Sequence, residues 1–411
     1  MSVKVVVKKF GGTSVASLNL MRNVALRVER ALKEGERVVL VLSAMGNTTD
    51  RLIEMAREVS VSPVPRELDM LLSTGEIVSV ALMSMILNRM GIKACSMTGG
   101  YHAGIITDDN YTRARIKYIE ADRLKELLEE GVVPVVAGFQ GVNENGDITT
   151  LGRGGSDTTA VALAVALNAD RCEIYTDVNG VYAADPRVVP DAVRIPVISY
   201  DEMMEMAVLG ARVLQYRCVD LARRYNVELI VKSSFYEDGG TVIKEVDDMM
   251  ERSEVRAVTH NEDVAKVVIK DVPDRPGMAA RIFRKLGDKG IPIDMIIQGV
   301  TKGDRSDVAF IVSRSDLQSV LDVADEVVKE VGAAGVSYNM DIAKVSLVGA
   351  NITSDPSMPG KMFSVLAENG INIDMIATSG LRISCIVERK HINDAVRALY
   401  RAFNVYETGN E

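Results

Sequence analysis

Residues 3–42, VKVVVKKFGGTSVASLNLMRNVALRVERALKEGERVVLVL, decide the architecture of the first half of the chain. A β-branched run at 3–7 meets a glycine turn at Gly11-Gly12. Apolar residues three and four apart then fill Leu18–Lys33, and a second apolar run occupies Arg37–Leu42. Strand, turn, helix and strand in that order make a βαβ unit, whose two strands run parallel under a covering helix. The alternation continues, with strands expected at 92–97, 132–137, 172–176 and 227–232 and helical spacing at 77–88 and 158–167. Strands this uniformly apolar are buried on both faces, so the expected class is α/β, an αβα sandwich with a mainly parallel sheet. Asn145-Gly146, between two short extended runs, predicts a hairpin.

The second half reads differently. A polar stretch at 233–256, containing Asp238-Gly239-Gly240 and an acidic run, reads as a terminal strand or two and then a linker. Beyond it, positions 80 apart match: Pro276/Pro356, Phe283/Phe363, Leu286/Leu366, Gly290/Gly370, Ile291/Ile371, Ile293/Ile373, Asp294/Asp374, Met295/Met375 and Ile296/Ile376. One register shared by so many pairs is a tandem repeat. Each copy has the pattern of a βαββαβ module on antiparallel sheet. The expected domains are therefore 1–250, 251–340 and 341–411, in keeping with 411 residues and two or three cores.

A balance of 48 basic against 57 acidic residues, net −9, gives no electrostatic footprint for nucleic acid. No apolar stretch anywhere reaches about 18 residues and no export signal is legible, so neither membrane insertion nor secretion is expected and the location reads as cytoplasmic. Cys95, Cys172, Cys218 and Cys385 are scattered and read as reduced, mostly buried thiols. His102, His260 and His391 lack spaced partners, so no histidine metal site is expected.

Three glycine-bordered turns carry the chemistry. Lys9-Phe10-Gly11-Gly12-Thr13-Ser14 follows the first strand, and amides there would face an anion with Lys9 as a fixed cation. It matches neither the P-loop nor the dinucleotide fingerprint. Leu151-Gly152-Arg153-Gly154-Gly155-Ser156-Asp157 precedes an apolar helix. Capping explains Ser156 or Asp157 but not Arg153, a side chain suited to gripping a carboxylate. Thr176-Asp177-Val178-Asn179-Gly180-Val181-Tyr182, continuing to Asp185-Pro186-Arg187, leaves a buried strand at its carboxyl end, where open α/β sheets bind ligands. Ser43 to Asp50 and Gly75-Glu76 add polar groups, Glu76 being by itself an ordinary helix-dipole acid.

Taken in order, these segments resemble the aspartate kinases of the amino-acid-kinase superfamily, with Lys-Phe-Gly-Gly-Thr-Ser-Val, Ser-Ala-Met-Gly-x-Thr-Thr-Asp, Gly-Phe-Gln-Gly, Thr-Thr-Leu-Gly-Arg-Gly-Gly-Ser-Asp-Thr-Thr, Thr-Asp-Val-x-Gly-Val-Tyr and Ala-Asp-Pro-Arg all in place. The likeness spans nearly the whole chain, the repeat resembling the paired ACT modules of that family. It implies ATP with Mg²⁺, L-aspartate as phosphate acceptor and feedback by an amino acid, lysine or threonine or both. It also implies a homo-oligomer joined through the ACT modules.

By the same resemblance Lys9 and Asp157 are catalytic, and Lys9, Phe10, Gly11, Gly12, Ser43, Thr176, Asp177, Tyr182, Arg187 and Arg212 hold ATP. Thr48, Glu76, Arg153, Gly154, Gly155 and Ser156 hold aspartate. Asp274, Met278, Ala279, Ile293, Asp294, Met295 and Gln298 form an effector surface. Three positions depart from the family pattern: Arg212 stands in place of lysine, Pro292 in place of asparagine and Gly380 in place of glutamate. Two other readings compete. One is a superfamily member acting on glutamate, N-acetylglutamate, carbamate or a nucleoside monophosphate; the other is a non-catalytic sensor on a kinase-like scaffold. An acceptor carboxylate is already anionic at neutral pH, so the reaction needs charge neutralisation and in-line positioning rather than a general base.

Overall fold

The computed structural model describes residues 4–211, 213–237, 239–246, 255–299, 303–403 and 405. The chain divides into two compact units, Met1–Tyr182 with Arg194–Met249, and Ala183–Val193 with Met250–Glu411. In the first, an eight-stranded sheet runs in the order Val197–Ser199, Thr241–Lys244, Leu229–Ser233, Arg171–Thr176, Val5–Phe10, Arg37–Leu42, Val133–Ala137, Ala94–Met97. Every pairing is parallel except that of Leu229–Ser233 with Thr241–Lys244. All six strands read from the sequence are present; Val197–Ser199 was not foreseen, because three residues carry no periodicity of their own.

Val5–Phe10 is central, paired on one side with Arg37–Leu42, to which the chain passes next, and on the other with Arg171–Thr176, reached only after the helix Gly155–Ala166. The loops at the carboxyl ends of these strands therefore border the switch point of the sheet. Met21, Val24, Ala25 and Val28 of the helix Leu18–Lys33 bury against Phe10, Val38, Leu40 and Leu42, together with Val80, Met83 and Leu87 of the helix Pro65–Arg89. Gly155–Ala166 is buried from Gly155 through Ala164, which removes any polar face and explains its even apolar run.

Pro65–Arg89 is longer than the 77–88 expected, since Pro65 pre-sets its first turn. It also corrects the expectation about apolar length: an 18-residue window here has mean hydropathy 1.8 and is half buried inside the unit. Its polar residues Asp69, Ser73, Glu76 and Ser79 are buried rather than exposed. A second sheet orders Ile116–Ile119, Ile105–Thr107, Gln140–Asn143 and Ile148–Thr150, the last two forming the expected hairpin with Gly146 at φ +84°.

The second unit holds two four-stranded sheets of equivalent order: Ile296–Gln298, Arg305–Val312, Ala265–Pro273, Gly335–Asn339, and Ile373–Ser379, Arg382–Glu388, Ile342–Val348, Ala257–Asn261. The first copy is a contiguous βαββαβ module. The second takes as its fourth strand Ala257–Asn261, antiparallel to Ile342–Val348, from ahead of the first copy. A first module starting at 251 is thereby corrected: a strand's partner is chosen by tertiary contact, and periodicity within five residues does not encode it. The faces of the two sheets away from their helices meet through Val264, Met295, Ile311, Ile342, Met375 and Ile386.

Candidate active site

The first glycine turn is built at the end of the central strand. Phe10 stacks on Tyr175 of the neighbouring strand, centroids 4.3 Å apart and nearly parallel. Gly11 N–H donates to the Tyr175 carbonyl at 3.3 Å, and Gly46 N–H to the Gly12 carbonyl at 3.0 Å. A Cβ on Gly12 would lie 2.8 Å from the Ala44 carbonyl oxygen, so only glycine permits this approach. The turn does not open the first long helix directly. Gly12–Val15 forms a 3₁₀ turn, and Ser17 then caps Leu18–Lys33 through the Leu20 amide.

The second turn enters from the other side. Gly154, at φ +66°, caps the helix Gly155–Ala166, and a Cβ on Gly138 would strike Ser156 at 2.8 Å. Asp157 sits in the first helical turn, where the positive helix terminus favours a carboxylate. Lys9 Nζ and Asp157 Oδ1 are 2.5 Å apart, each side chain 11% exposed. A cation is thus held at the mouth of two loops whose amides and glycines leave room for an anion.

Gly75 lets the helix Pro65–Arg89 press on the Ser43-to-Thr48 turn, a Cβ there being 2.9 Å from that of Ala44. This brings Glu76, 3% exposed, against the turn: its Oε1 accepts the Ala44 N–H at 3.0 Å, while Oε2 is buried with no partner among the described residues. Burial raises its pKa to about 7, against the lowering effect of the Ala44 amide. An orphaned buried carboxylate oxygen is the chemistry that receives an ammonium group.

The amino acid kinase family profile matches residues 4–233, and ACT domain profiles match 266–328 and 345–403. The chain is 48% identical to an aspartokinase of Thermus thermophilus over 97% of this chain and 98% of that one. It is 46% identical to an aspartate kinase of Pseudomonas putida over 97% of each. Among solved structures it is similar to E. coli aspartokinase III in complex with aspartate and ADP, with a TM-score of 0.81, 28% identity and coverage of 98% and 100%. The chain belongs to the aspartate kinase family.

Within that family frame the remaining residues fall into two groups. Arg153 is exposed and bonded to no described residue, flanked by left-handed Gly152 and Gly154. Thr48 opens the helix Thr48–Val59 with its hydroxyl on the Met45 carbonyl. Ser43 is tied by its amide to the Phe10 carbonyl, Thr176 bonds Asp177, and Tyr182 bridges Arg194. Arg187, in contrast, lies in the segment that belongs to the second unit, exposed and bidentate on Asp185. Arg212 lies outside the described residues.

Phe139, quoted in the sequence only as part of Gly-Phe-Gln-Gly and given no role there, sits at φ +70°, where its carbonyl accepts Leu151 N–H at 2.8 Å and its own N–H donates to the Thr159 hydroxyl. Its one legible signal is the pair of glycines at 138 and 141.

Of the effector residues, Asp274, Met278 and Ala279 gather at the start of the helix Met278–Asp288, capped by Gly277 at φ +94°. Gln298 donates to Ser306 Oγ at 3.0 Å. Met295 is buried between the two sheets and Ile293 packs on the first module's core, so neither faces outward. Asp294 is already paired with Lys344, itself 1% exposed, and lies 3.8 Å from Arg382. Lys266 and Asp374 repeat this pair reciprocally at 2.7 Å.

Proposed function

We propose that this aspartate kinase transfers the γ-phosphate of ATP to the side-chain carboxylate of L-aspartate. In this reading Lys9 and the Gly12 amide neutralise the phosphates, Gly11, whose N–H is held by the Tyr175 carbonyl, leaves them room, and Asp157 orients Lys9. Ser43, Thr176, Asp177 and Tyr182 surround the nucleotide; the Phe10 side chain, expected there, is instead fully buried on Tyr175 and leaves only its backbone at the site. Arg153, with Gly154, Gly155 and Ser156, takes a carboxylate of aspartate, while Glu76 and Thr48 take the ammonium side. The observation that carries the proposal is the 2.5 Å Lys9–Asp157 pair between two glycine-bordered turns. The solved complex of E. coli aspartokinase III with aspartate and ADP supports it.

No group of three acidic, histidine or cysteine side chains gathers among the described residues. Mg²⁺ would arrive on the ATP phosphates, with Asp157, the carboxylate beside Lys9, available to hold it. When bound it supplies charge neutralisation on the phosphates. The test is aspartate-dependent hydroxamate formation from ATP in the presence of hydroxylamine. Robust turnover is expected; ATP consumption with glutamate but not aspartate, or none with either, would overturn the assignment, the latter in favour of a sensor on a kinase-like scaffold.

The pKa of Glu76 predicts a pH dependence. Above about 7 the group is a carboxylate that holds an ammonium; below it the group is neutral, and bound aspartate must first displace a proton. The KM for aspartate should therefore rise by up to about tenfold for each pH unit below 7. Glu76→Gln should raise that KM and remove the dependence. A wild-type profile flat between pH 6 and 8 would show that Glu76 is not at the ammonium.

For the regulatory half, we propose that the Asp274–Ala279 turn and Gln298 bind lysine, threonine or both, and that exposed outer-strand residues such as Ile296, Tyr338 and Ile376 join ACT modules of a homo-oligomer. The exposed turn at the amino end of Met278–Asp288 would face an effector carboxylate. Asp294 enters only if Lys344 is displaced from it. E. coli aspartokinase III has been solved with lysine and aspartate, at 28% identity and a TM-score of 0.75. Titrating lysine, threonine and the two together should change activity, with a coupling of about 1–3 kcal/mol, roughly 5–150-fold in affinity. Absence of binding by calorimetry for all three would leave the repeat as an assembly module alone. A cytoplasmic location follows the same family likeness.

A further inference from the structure

Asp69 is 0% exposed and forms no ion pair with a described residue. Both its oxygens accept from Thr112 N–H, at 3.1 and 2.9 Å; Oδ2 also accepts Thr150 N–H at 2.8 Å, and Oδ1 the Thr150 hydroxyl at 2.6 Å. Among the described residues its counterweights are these dipoles, and burial raises its pKa. Arg217 on the helix Tyr216–Tyr225 donates to the Ala114 carbonyl, two residues beyond Thr112, at 3.1 Å and to the Leu151 carbonyl, next to Thr150, at 2.7 Å. Ala114 N–H closes the seam on the Thr150 carbonyl at 2.9 Å. Thr112 is held at φ +67°, an unfavourable backbone for a β-branched residue that its surroundings must enforce.

The seam ends directly at Gly152-Arg153-Gly154. Those left-handed glycines carry no side chain that could anchor the loop, so the position of Arg153 is set at the loop's two ends. One end is the start of Gly155–Ala166. The other is the stretch clamped by Asp69 and Arg217. Asp69 lies on the same helix as Glu76, seven residues earlier, and so on the same face about 10 Å along the axis. A single rigid helix thus bears on the Ser43-to-Thr48 turn through Glu76 and on the Arg153 loop through Asp69, the two sides of the aspartate pocket proposed above.

We propose that Asp69 and Arg217 are positioning residues that set the Arg153 loop at a fixed distance from Glu76, and so determine affinity for aspartate without touching it. This inference rests on the reading of Arg153 as the carboxylate grip. Because that grip is made in ground and transition states alike, its loss appears in the KM for aspartate more than in kcat.

Asp69→Ala removes three donors' acceptor and should raise the KM for aspartate roughly 10- to 100-fold, while the KM for ATP changes less than about threefold. Asp69→Asn should stay within about threefold of wild type, since its carbonyl can accept both N–H groups and its amide can donate to the Thr150 hydroxyl. Arg217→Lys keeps the charge but spans only one carbonyl, and should raise the aspartate KM severalfold.

Should Asp69→Ala fail to fold, Thr150→Val removes one bond of the seam and is expected to raise the aspartate KM roughly 3- to 10-fold. An unchanged aspartate KM in Thr150→Val and Arg217→Lys, or equal rises for both substrates, would overturn the proposal. Wild-type enzyme without aspartate-dependent hydroxamate formation would instead overturn the underlying reading of the site, so the two failures are told apart.

Discussion

Replacing Lys9 with alanine, or Asp157 with alanine, is expected to lower kcat roughly 100- to 1,000-fold or more, the usual consequence of deleting a preorganised charge that acts on the transition state. The two side chains sit 2.5 Å apart and each is nearly buried, so either single substitution also strands the other charge. Breaking such a pair destabilises by about 3–5 kcal/mol when the survivor stays buried. Activity and stability must therefore be separated. In the double variant Lys9→Ala/Asp157→Ala neither charge is stranded, and thermal stability should recover toward wild type while turnover stays lost. Turnover by hydroxamate assay and unfolding by calorimetry decide it. A single variant with near wild-type kcat would remove that residue from the catalytic set, and recovery of turnover in the double variant would show that the pair is structural only.

Glu173→Ala should be the most destabilising of the charge substitutions away from the site. Glu173 is fully buried in the strand Arg171–Thr176, with Lys8 at 2.7 Å, Arg171 at 2.9 Å and Lys232 at 3.1 Å, and it accepts the Tyr175 hydroxyl at 2.9 Å. Lys8 is itself 5% exposed, and its other acid is Glu36 at 3.2 Å. Removing the shared carboxylate leaves three cations facing one. A loss of about 3–5 kcal/mol is expected, on the order of 10 °C in melting temperature for a unit of this size.

Burial alone would raise the pKa of Glu173, but Lys8 and Lys232 outweigh it and hold it at about 2. Because the folded value lies below the unfolded one, the stabilisation is complete above about pH 4.5 and is lost as pH falls through 2. Chemical denaturation of Glu173→Ala at pH 7 and pH 3 measures both effects. A variant within about 1 kcal/mol of wild type at pH 7 would mean that the network contributes nothing net, as some buried ion pairs do.

Lys8 and Lys9 illustrate how unevenly a sequence reveals its chemistry. Adjacent on one strand, they point to opposite faces of the sheet, Lys8 into the network around Glu173 and Lys9 to Asp157. The glycines after Lys9 singled it out in the sequence, whereas Lys8 has no local mark.

Most of the architecture was legible because its causes are local. Two-residue and 3.6-residue periods, glycine turns and a repeat 80 residues long are written within short windows, and they located six strands, the hairpin, the glycine-bordered turns and the doubled module. What tertiary structure alone decided are pairings between distant segments: the loan of Ala257–Asn261 to the second module's sheet, Lys344 on Asp294, Glu76 on the Ala44 amide, and Asp69 on Thr112 and Thr150. The reason is physical. A turn or helix is specified by backbone preferences of neighbouring residues, but the partner of a charge or of an edge strand depends on which segments the whole chain brings within a few ångströms, and no window of sequence holds that distance.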